Sequence, residues 1–280
     1  MNKRLLFRNI LIFDQLEEII ISCNSAGIQV CLLKGCALIQ CGIFRMWERE
    51  MEDIDILIKE RDMAKFNRLM RGMGYSSVCS GEMGYYKSGK NAVLDVHTGV
   101  LYADDAQLEV MQDNMKKTAG MNVLSYEDQV IYTVYHGLIH DAGYSKKWMN
   151  DTKRLLEAAH IRWRDLADKF AVYGLSELFL IASSYIGIAG GFIPHNTLKK
   201  HYIELVLKLP KFEEKGHFLI PFTIKRIKDR ISYFIRFFFP DLSFIKRRYR
   251  FRPAWILLYL RPLILFYRTL TNIFRVVNDS

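Results

Sequence analysis

The chain has 280 residues, half of them hydrophobic, with 40 Lys and Arg against 30 Asp and Glu. Such a length and apolar content bury a substantial core in one large or two modest domains, and exclude a chain too polar to fold. The five cysteines, Cys23, Cys31, Cys36, Cys41 and Cys79, are odd in number and form no CxxC pair, so they read as reduced, mostly buried thiols of a cytoplasmic protein, not as zinc ligands.

The start, Met1-Asn2-Lys3-Arg4 and a partly apolar stretch to Phe13, is interrupted by Arg8 and lacks a small-residue cleavage site, so it does not read as a signal peptide. Ile10, Phe13, Leu16, Ile19 and Ile20 recur at helical spacing and predict an amphipathic first helix. Gly27 to Leu33 is an apolar run of strand length that stops at Lys34-Gly35, the pattern of a buried strand entering a tight turn. A short helix is expected from Cys36 to Cys41. Gly35 lets backbone N–H groups approach a phosphate there, and Lys34 is either a positive charge for that phosphate or a surface lysine.

Asp53-Ile54-Asp55 follows, inside the apolar run that ends at Ile58. On a strand, residues two apart share a face, so Asp53 and Asp55 project together while Ile54 and Ile56 face the core. Two carboxylates that close repel unless a proton or cation neutralises them, and oxygen ligands suit a hard divalent ion. A solvated strand end or a helix cap is the plainer alternative. Asn91 to His97 then alternates polar and apolar residues behind the turn-rich Ser88-Gly89-Lys90-Asn91, which predicts a hairpin from about Met83 to His97. If its second strand lies beside the first carboxylate strand, Asp95 becomes a third acidic ligand. Three such groups can hold two Mg²⁺, one activating an attacking hydroxyl and one steadying a triphosphate. His97 either joins that cluster or bonds a strand neighbour.

Lys34-Gly35, Arg49 four residues before Asp53-Ile54-Asp55, and Asp95-Val96-His97 together resemble the uncharacterised nucleotidyltransferases of the polymerase-β-like superfamily, as do Ser125-Tyr126-Glu127-Asp128, His136, His140, Trp148 and Asp151 further on. The resemblance implies transfer of a nucleoside monophosphate from an NTP to a hydroxyl, with Mg²⁺ or Mn²⁺ on Asp53, Asp55 and Asp95. Lys34 and Gly35 would then contact the triphosphate, with His97 beside them, and Arg49 would pair with Asp53 or with phosphate. The wider superfamily's Gly-Ser turn is Gly35-Cys36 here, and the spacing from that turn to the acidic pair is longer than usual.

From Ser125 onward the pattern is helical, with an Ser-x-x-Asp start, apolar Val130, Val134, Leu138 and Ile139, and Gly143 as a stop. His136 and His140 share a face, either packing against Trp148 and Asp151 or shaping the acceptor side of the cleft; a third metal ligand cannot be assigned. Residues 175–193 read as a buried helix and turn. Residues 199–280 then hold 18 Lys and Arg against 6 Asp and Glu, so the whole net charge of +10 lies in this tail. Ile224, Ile227, Ile231, Phe234, Ile235 and Phe238 recur at helical spacing among basic residues, and Lys246 to Arg252 form a basic cluster ahead of Trp255, Tyr259 and Tyr267. The run from Trp255 to Tyr267 is broken by Arg261 and Pro262 and is too short to span a membrane. Three readings stay open for residues 224–268: a solvated helical cap, attachment to an anionic membrane surface, and, weakest, nucleic-acid binding.

The expected architecture is α+β, a small mixed-sheet nucleotidyltransferase domain over residues 1–120 and a helical domain over 121–280 with a basic, aromatic-rich tail. The acceptor is a small molecule, a glycan or a protein. The alternatives are a catalytically silent nucleotide-binding protein, or a membrane-associated partner in surface polysaccharide assembly at the inner face of the membrane.

Overall fold

The computed structural model describes residues 1–77, 84–141, 146–159, 161, 163–187, 195–208, 215–224, 227–239, 260–265, 267 and 271. It is an α+β protein that divides into two compact units, Met1–Thr133 with Asp151–Arg162, and Val134–Asn150 with Trp163–Ser280.

The first unit is built on a mixed sheet with seven strands among the described residues, in the order β3-β4-β5-β2-β1-β7-β6. The strands are β1 (Cys31–Leu32), β2 (Asp53–Leu57), β3 (Ser76–Ser77), β4 (Gly84–Tyr86), β5 (Val93–His97), β6 (Lys116–Thr118) and β7 (Met121–Val123). At its centre β2 runs parallel to β5 and antiparallel to β1, which is itself parallel to β7. Ile54, Ile56, Leu94 and Val96 point to one side and are buried, as the two-residue period requires. The apolar run before Lys34 supplies only two ladder residues, although Val30 to Leu33 are all buried. The hairpin expected up to His97 is present as β4 and β5, with Gly84 opposite Asp95; Met83 lies outside the described residues.

Helix α1 (Lys3–Ser25) packs on this sheet unit through Asn9, Ile12, Gln15, Leu16, Ile19, Ile20 and Cys23. The buried stripe is rotated from the one the apolar spacing suggests, and Ile10 is exposed. The cause is a pair of polar anchors. Asn9 Nδ2 donates to the carbonyls of Met46 (2.6 Å) and Arg49 (2.7 Å). Gln15 donates to the Ala92 carbonyl (2.9 Å), while its Oε1 accepts from the Asn91 and Ala92 amides (3.2 Å each). One helix therefore fixes the backbone just before both β2 and β5. Replacing Gln15 by Leu strands the two buried backbone groups of Ala92 and the partly buried amide of Asn91, so a loss of about 1–3 kcal/mol in urea unfolding is expected, against a near-neutral change for the exposed Glu17→Ala.

The unit also contains α2 (Lys34–Gln40), α3 (Met63–Gly72), α4 (Asp105–Asp113), most of α5 (Tyr126–Tyr135) and the later part of α6 (Lys147–Ala159). Ser125 caps α5 as the sequence suggests: the Asp128 amide donates to its Oγ (3.1 Å), and that hydroxyl donates to the Asp128 carboxylate (2.6 Å).

The second unit is helical, with α7 (Trp163–Val172), α8 (Ser176–Ile186), α9 (Thr197–Lys208) and α10 (Ile227–Phe238). Helix α8 is the buried helix expected there, and Phe179 meets Phe170 of α7 with ring centroids 5.3 Å apart. The basic cluster at 246–252, Trp255, Tyr259, Cys79 and Gly143 lie outside the described residues. No helix among the described residues is long and apolar enough to cross a membrane.

Candidate active site

The parallel register pairs Asp53 with Val93, Asp55 with Asp95 and Leu57 with His97. Because side chains alternate, Asp53 and Asp55 share a face with Asp95 and His97 on the adjacent strand. One carboxylate oxygen from each of Asp53, Asp55 and Asp95 lies within 4.8 Å of the others. Asp55 is the deepest, 2% exposed, and its Oδ1 receives Lys34 Nζ at 2.7 Å and His97 Nε2 at 3.1 Å. Burial pushes the Asp55 carboxyl up, but the His97 hydrogen bond and the Lys34 charge outweigh it, and the group sits below the usual carboxylate range. Asp95 goes the other way. Burial first, then the charges of Asp55 and Asp53, hold its carboxyl above that range.

A model of the family described as uncharacterised nucleotidyltransferase matches residues 2–187. The chain belongs to that family. No curated protein matches it in sequence. Among solved structures, the nucleotidyltransferase is similar to the antibiotic-resistance factor ANT(2'')-Ia in solution, at 12% identity and a TM-score of 0.45 over 67% of this chain and 97% of that one. It is also similar to the crystal structure of ANT(2'')-Ia with adenylyl-2''-tobramycin, at 14% identity and a TM-score of 0.43 over 57% and 95%. JHP933 from Helicobacter pylori follows at 11% identity and a TM-score of 0.39 over 84% and 97%.

The acidic face of the nucleotidyltransferase fits a hard divalent cation. Its donors are carboxylate oxygens, and burial, then the neighbouring Asp55 and Asp53 charges, disfavours ionised Asp95 unless a cation is near. A testable sign follows. A carboxyl whose folded value lies above its unfolded one takes up its proton more readily in the native state, so ionised Asp95 weakens the fold near neutral pH. Asp95→Asn should therefore raise the melting temperature at pH 7 in the absence of divalent ions. Below the unfolded value, near pH 4, where wild-type Asp95 is already neutral, the two proteins should melt together.

Lys34 opens α2 with φ +46°, in the left-handed region where a non-glycine residue is strained. The strain delivers its ammonium to Asp55, and the turn is tied to β2 by the Leu33 amide, which donates to the Asp55 carbonyl at 3.0 Å. A Cβ on Gly35 would stand 2.9 Å from Met51 Cγ and 3.7 Å from Arg49 Nη1, so this glycine allows residues 49–51 to approach α2. Cys36, where the wider superfamily has serine, is wholly buried with Sγ 3.8 Å from Met51 Sδ, and burial drives its thiol far above its ordinary range. That position packs the interior.

Arg49 has a partner beyond those expected. It is buried, and its guanidinium forms a two-pronged bond with Asp151, Nε to Oδ1 at 2.8 Å and Nη2 to Oδ2 at 2.7 Å, and also donates to the Glu50 carbonyl. Helix α6 adds Arg154, whose guanidinium lies 5.2 Å from the Phe44 ring centroid. Residues 44–51 are thus held by α6 and by Asn9 of α1 immediately before the acidic strand. The spacing of the sequence gives no sign of the Asp151 partner, which lies 102 residues away. Tyr132, also missed, sets its ring edge-on to His97, with centroids 6.4 Å apart and planes at 83°.

Proposed function

We propose that the enzyme moves a nucleoside monophosphate from an NTP to an acceptor hydroxyl, with Mg²⁺ or Mn²⁺ held by Asp53, Asp55 and Asp95. The observation that carries this reading is the convergence of three carboxylates on two adjacent strands with Lys34 at their edge. A divalent ion there supplies Lewis acidity to the acceptor oxygen and the triphosphate. Asp95, whose carboxyl burial and the neighbouring Asp55 and Asp53 charges hold above the usual range, accepts the proton of the attacking hydroxyl. The acceptor oxygen bonds to the α-phosphorus, the bond from that phosphorus to the bridging oxygen breaks, and pyrophosphate leaves. Asp55 would be one of the groups holding the cation, and Lys34, 2.7 Å from its Oδ1, would lie with Gly35 beside the phosphates. His97 keeps Asp55 oriented, and Arg49 fixes the backbone ahead of the strand. The acceptor hydroxyl belongs to a small molecule, a glycan or a protein.

The test is thermal unfolding with each of the four NTPs, with and without Mg²⁺. A nucleotide at about a hundred times its dissociation constant adds roughly 2.7 kcal/mol, a shift of several degrees. Stabilisation by one or more NTPs that requires Mg²⁺ supports the metal–nucleotide site, and no shift with any NTP overturns the transferase reading and the silent nucleotide-binding one alike.

A second reading, attachment to the inner face of an anionic membrane, is favoured by α10. Ile227, Ile231, Phe234 and Ile235 stand exposed on that helix although they form its apolar stripe, and the net positive charge of the chain falls in residues 199–280, the stretch of sequence that includes it. Vesicles containing phosphatidylserine should sediment the full chain at low salt and release it at high salt. Equal partition with neutral vesicles would remove this reading.

A further inference from the structure

Directly after α5, the helix widens into a single π turn over His136–His140, closed by the Asp141 amide donating to the His136 carbonyl at 2.8 Å. Such wide turns are rare and gather at functional positions. Its geometry matters for three side chains. In an α-helix the fifth residue on from a histidine points away from it, whereas a π turn brings both the fourth and fifth residues back over the first. His140 and Asp141 therefore both meet His136. Asp141 Oδ1 lies 3.4 Å from His136 Nδ1 and 3.7 Å from His140 Nδ1, and the two imidazoles stack with centroids 4.5 Å apart.

The turn is also held open by packing on two sides. A Cβ on Gly137 would fall 2.1 Å from Trp148 Cγ, inside the indole's own contact shell. A Cβ on Gly216 would fall 2.5 Å from the His140 carbonyl oxygen and 2.9 Å from that of Ile139, which are backbone atoms unable to step aside. Two glycines thus permit close approach to this one turn, while Leu138 and Ile139 are buried beneath it. The three polar groups stay within reach of solvent, with side-chain exposures of 22% for His136, 59% for His140 and 35% for Asp141.

We propose that His136, His140 and Asp141 form a transition-metal site of the Zn²⁺ class, separate in chemistry from the all-carboxylate cluster. Ligand bonds of about 2.0–2.2 Å around a tetrahedral ion place neighbouring donor atoms about 3.3–3.6 Å apart, close to the two separations seen here. Two imidazoles and one carboxylate select a borderline ion such as Zn²⁺ or Co²⁺ over Mg²⁺, and the fourth position is left to water. Binding cross-links the two ends of the π turn, so the metal acts as a clasp on that segment of the helical unit.

The experiment is a Co²⁺ titration of the full chain carrying Asp53→Asn and Asp55→Asn, in excess Mg²⁺, read by visible d–d absorption and followed by displacement with Zn²⁺. One equivalent with nitrogen-ligand bands is expected. Adding His140→Ala and Asp141→Asn, both at solvent-reachable positions, should weaken binding at least about tenfold, and Zn²⁺ should then no longer raise the melting temperature. Absence of the bands in the first protein, or bands of unchanged affinity after His140 and Asp141 are replaced, overturns the proposal.

Discussion

Asp55→Asn should reduce nucleotidyl transfer by about a thousandfold or more, on the scale of losing a charge that acts at the reacting phosphate. Asp55 is the most buried member of the acidic face, and both Lys34 and His97 converge on its Oδ1. The amide keeps the shape and removes the charge, so the ammonium and the imidazole lose their common anion. The expected signature is loss of Mg²⁺-dependent stabilisation by NTP, with the melting temperature of the free enzyme altered much less than its response to ligand. The pH dependence has the opposite sign to that of Asp95. The Asp55 carboxyl sits below its unfolded value, so its contribution to stability is present above about pH 4 and is lost as pH falls through the folded value. A variant that keeps wild-type nucleotide response in Mg²⁺ would show that this carboxylate is not a ligand.

The largest effect on stability is expected at Arg49. Its side chain is 10% exposed and that of Asp151 6%, and the two meet through both prongs of the guanidinium. Removing one partner of such a pair leaves a buried charge without its counter-ion and costs about 3–5 kcal/mol. For a chain of this size that corresponds to a fall in melting temperature of roughly 6–20 °C. Arg49→Lys should recover only part of the loss, because an ammonium cannot reproduce the planar fork. Arg49→Met combined with Asp151→Leu should cost less than the sum of the single changes, since no lone charge remains; additive losses in that cycle would show the pair to be uncoupled. Any loss of activity should come through displacement of residues 44–51, so that substrate affinity and turnover fall together once the protein is folded at low temperature.

The central pairing of the fold and the acidic cluster were legible because alternation is a local signal. Asp53 and Asp55 two apart, and Asp95 and His97 two apart, fix their faces on any strand, and only the adjacency of the two strands had to be supplied by the fold. Three kinds of residue escaped. Asn9 and Gln15 look like solvent-facing positions of an amphipathic helix, and they are buried because their amides satisfy backbone groups of distant segments. Asp151 is singled out in the sequence beside His136 and His140, but its bond to Arg49, 102 residues away, has no local signal. The π turn has no apolar period of its own, so the sequence puts His136 and His140 on one face and gives Asp141 no place there; the widened backbone is what adds the third group. At Lys34 the sequence suggested a phosphate contact or a surface residue, and neither reading contains the ion pair with Asp55 that a left-handed first helical residue makes.

The Arg49–Asp151 bond also sets a timetable for biosynthesis. At about 5–20 residues per second, a ribosome delivers Asp151 some 5–20 s after Arg49. Throughout that interval the Arg49 guanidinium has no Asp151 to pair with, although β2 and β5 both precede Asp151 in the chain. The segment just ahead of the acidic strand therefore gains its buried counter-ion only after a helix from beyond the π turn has been made.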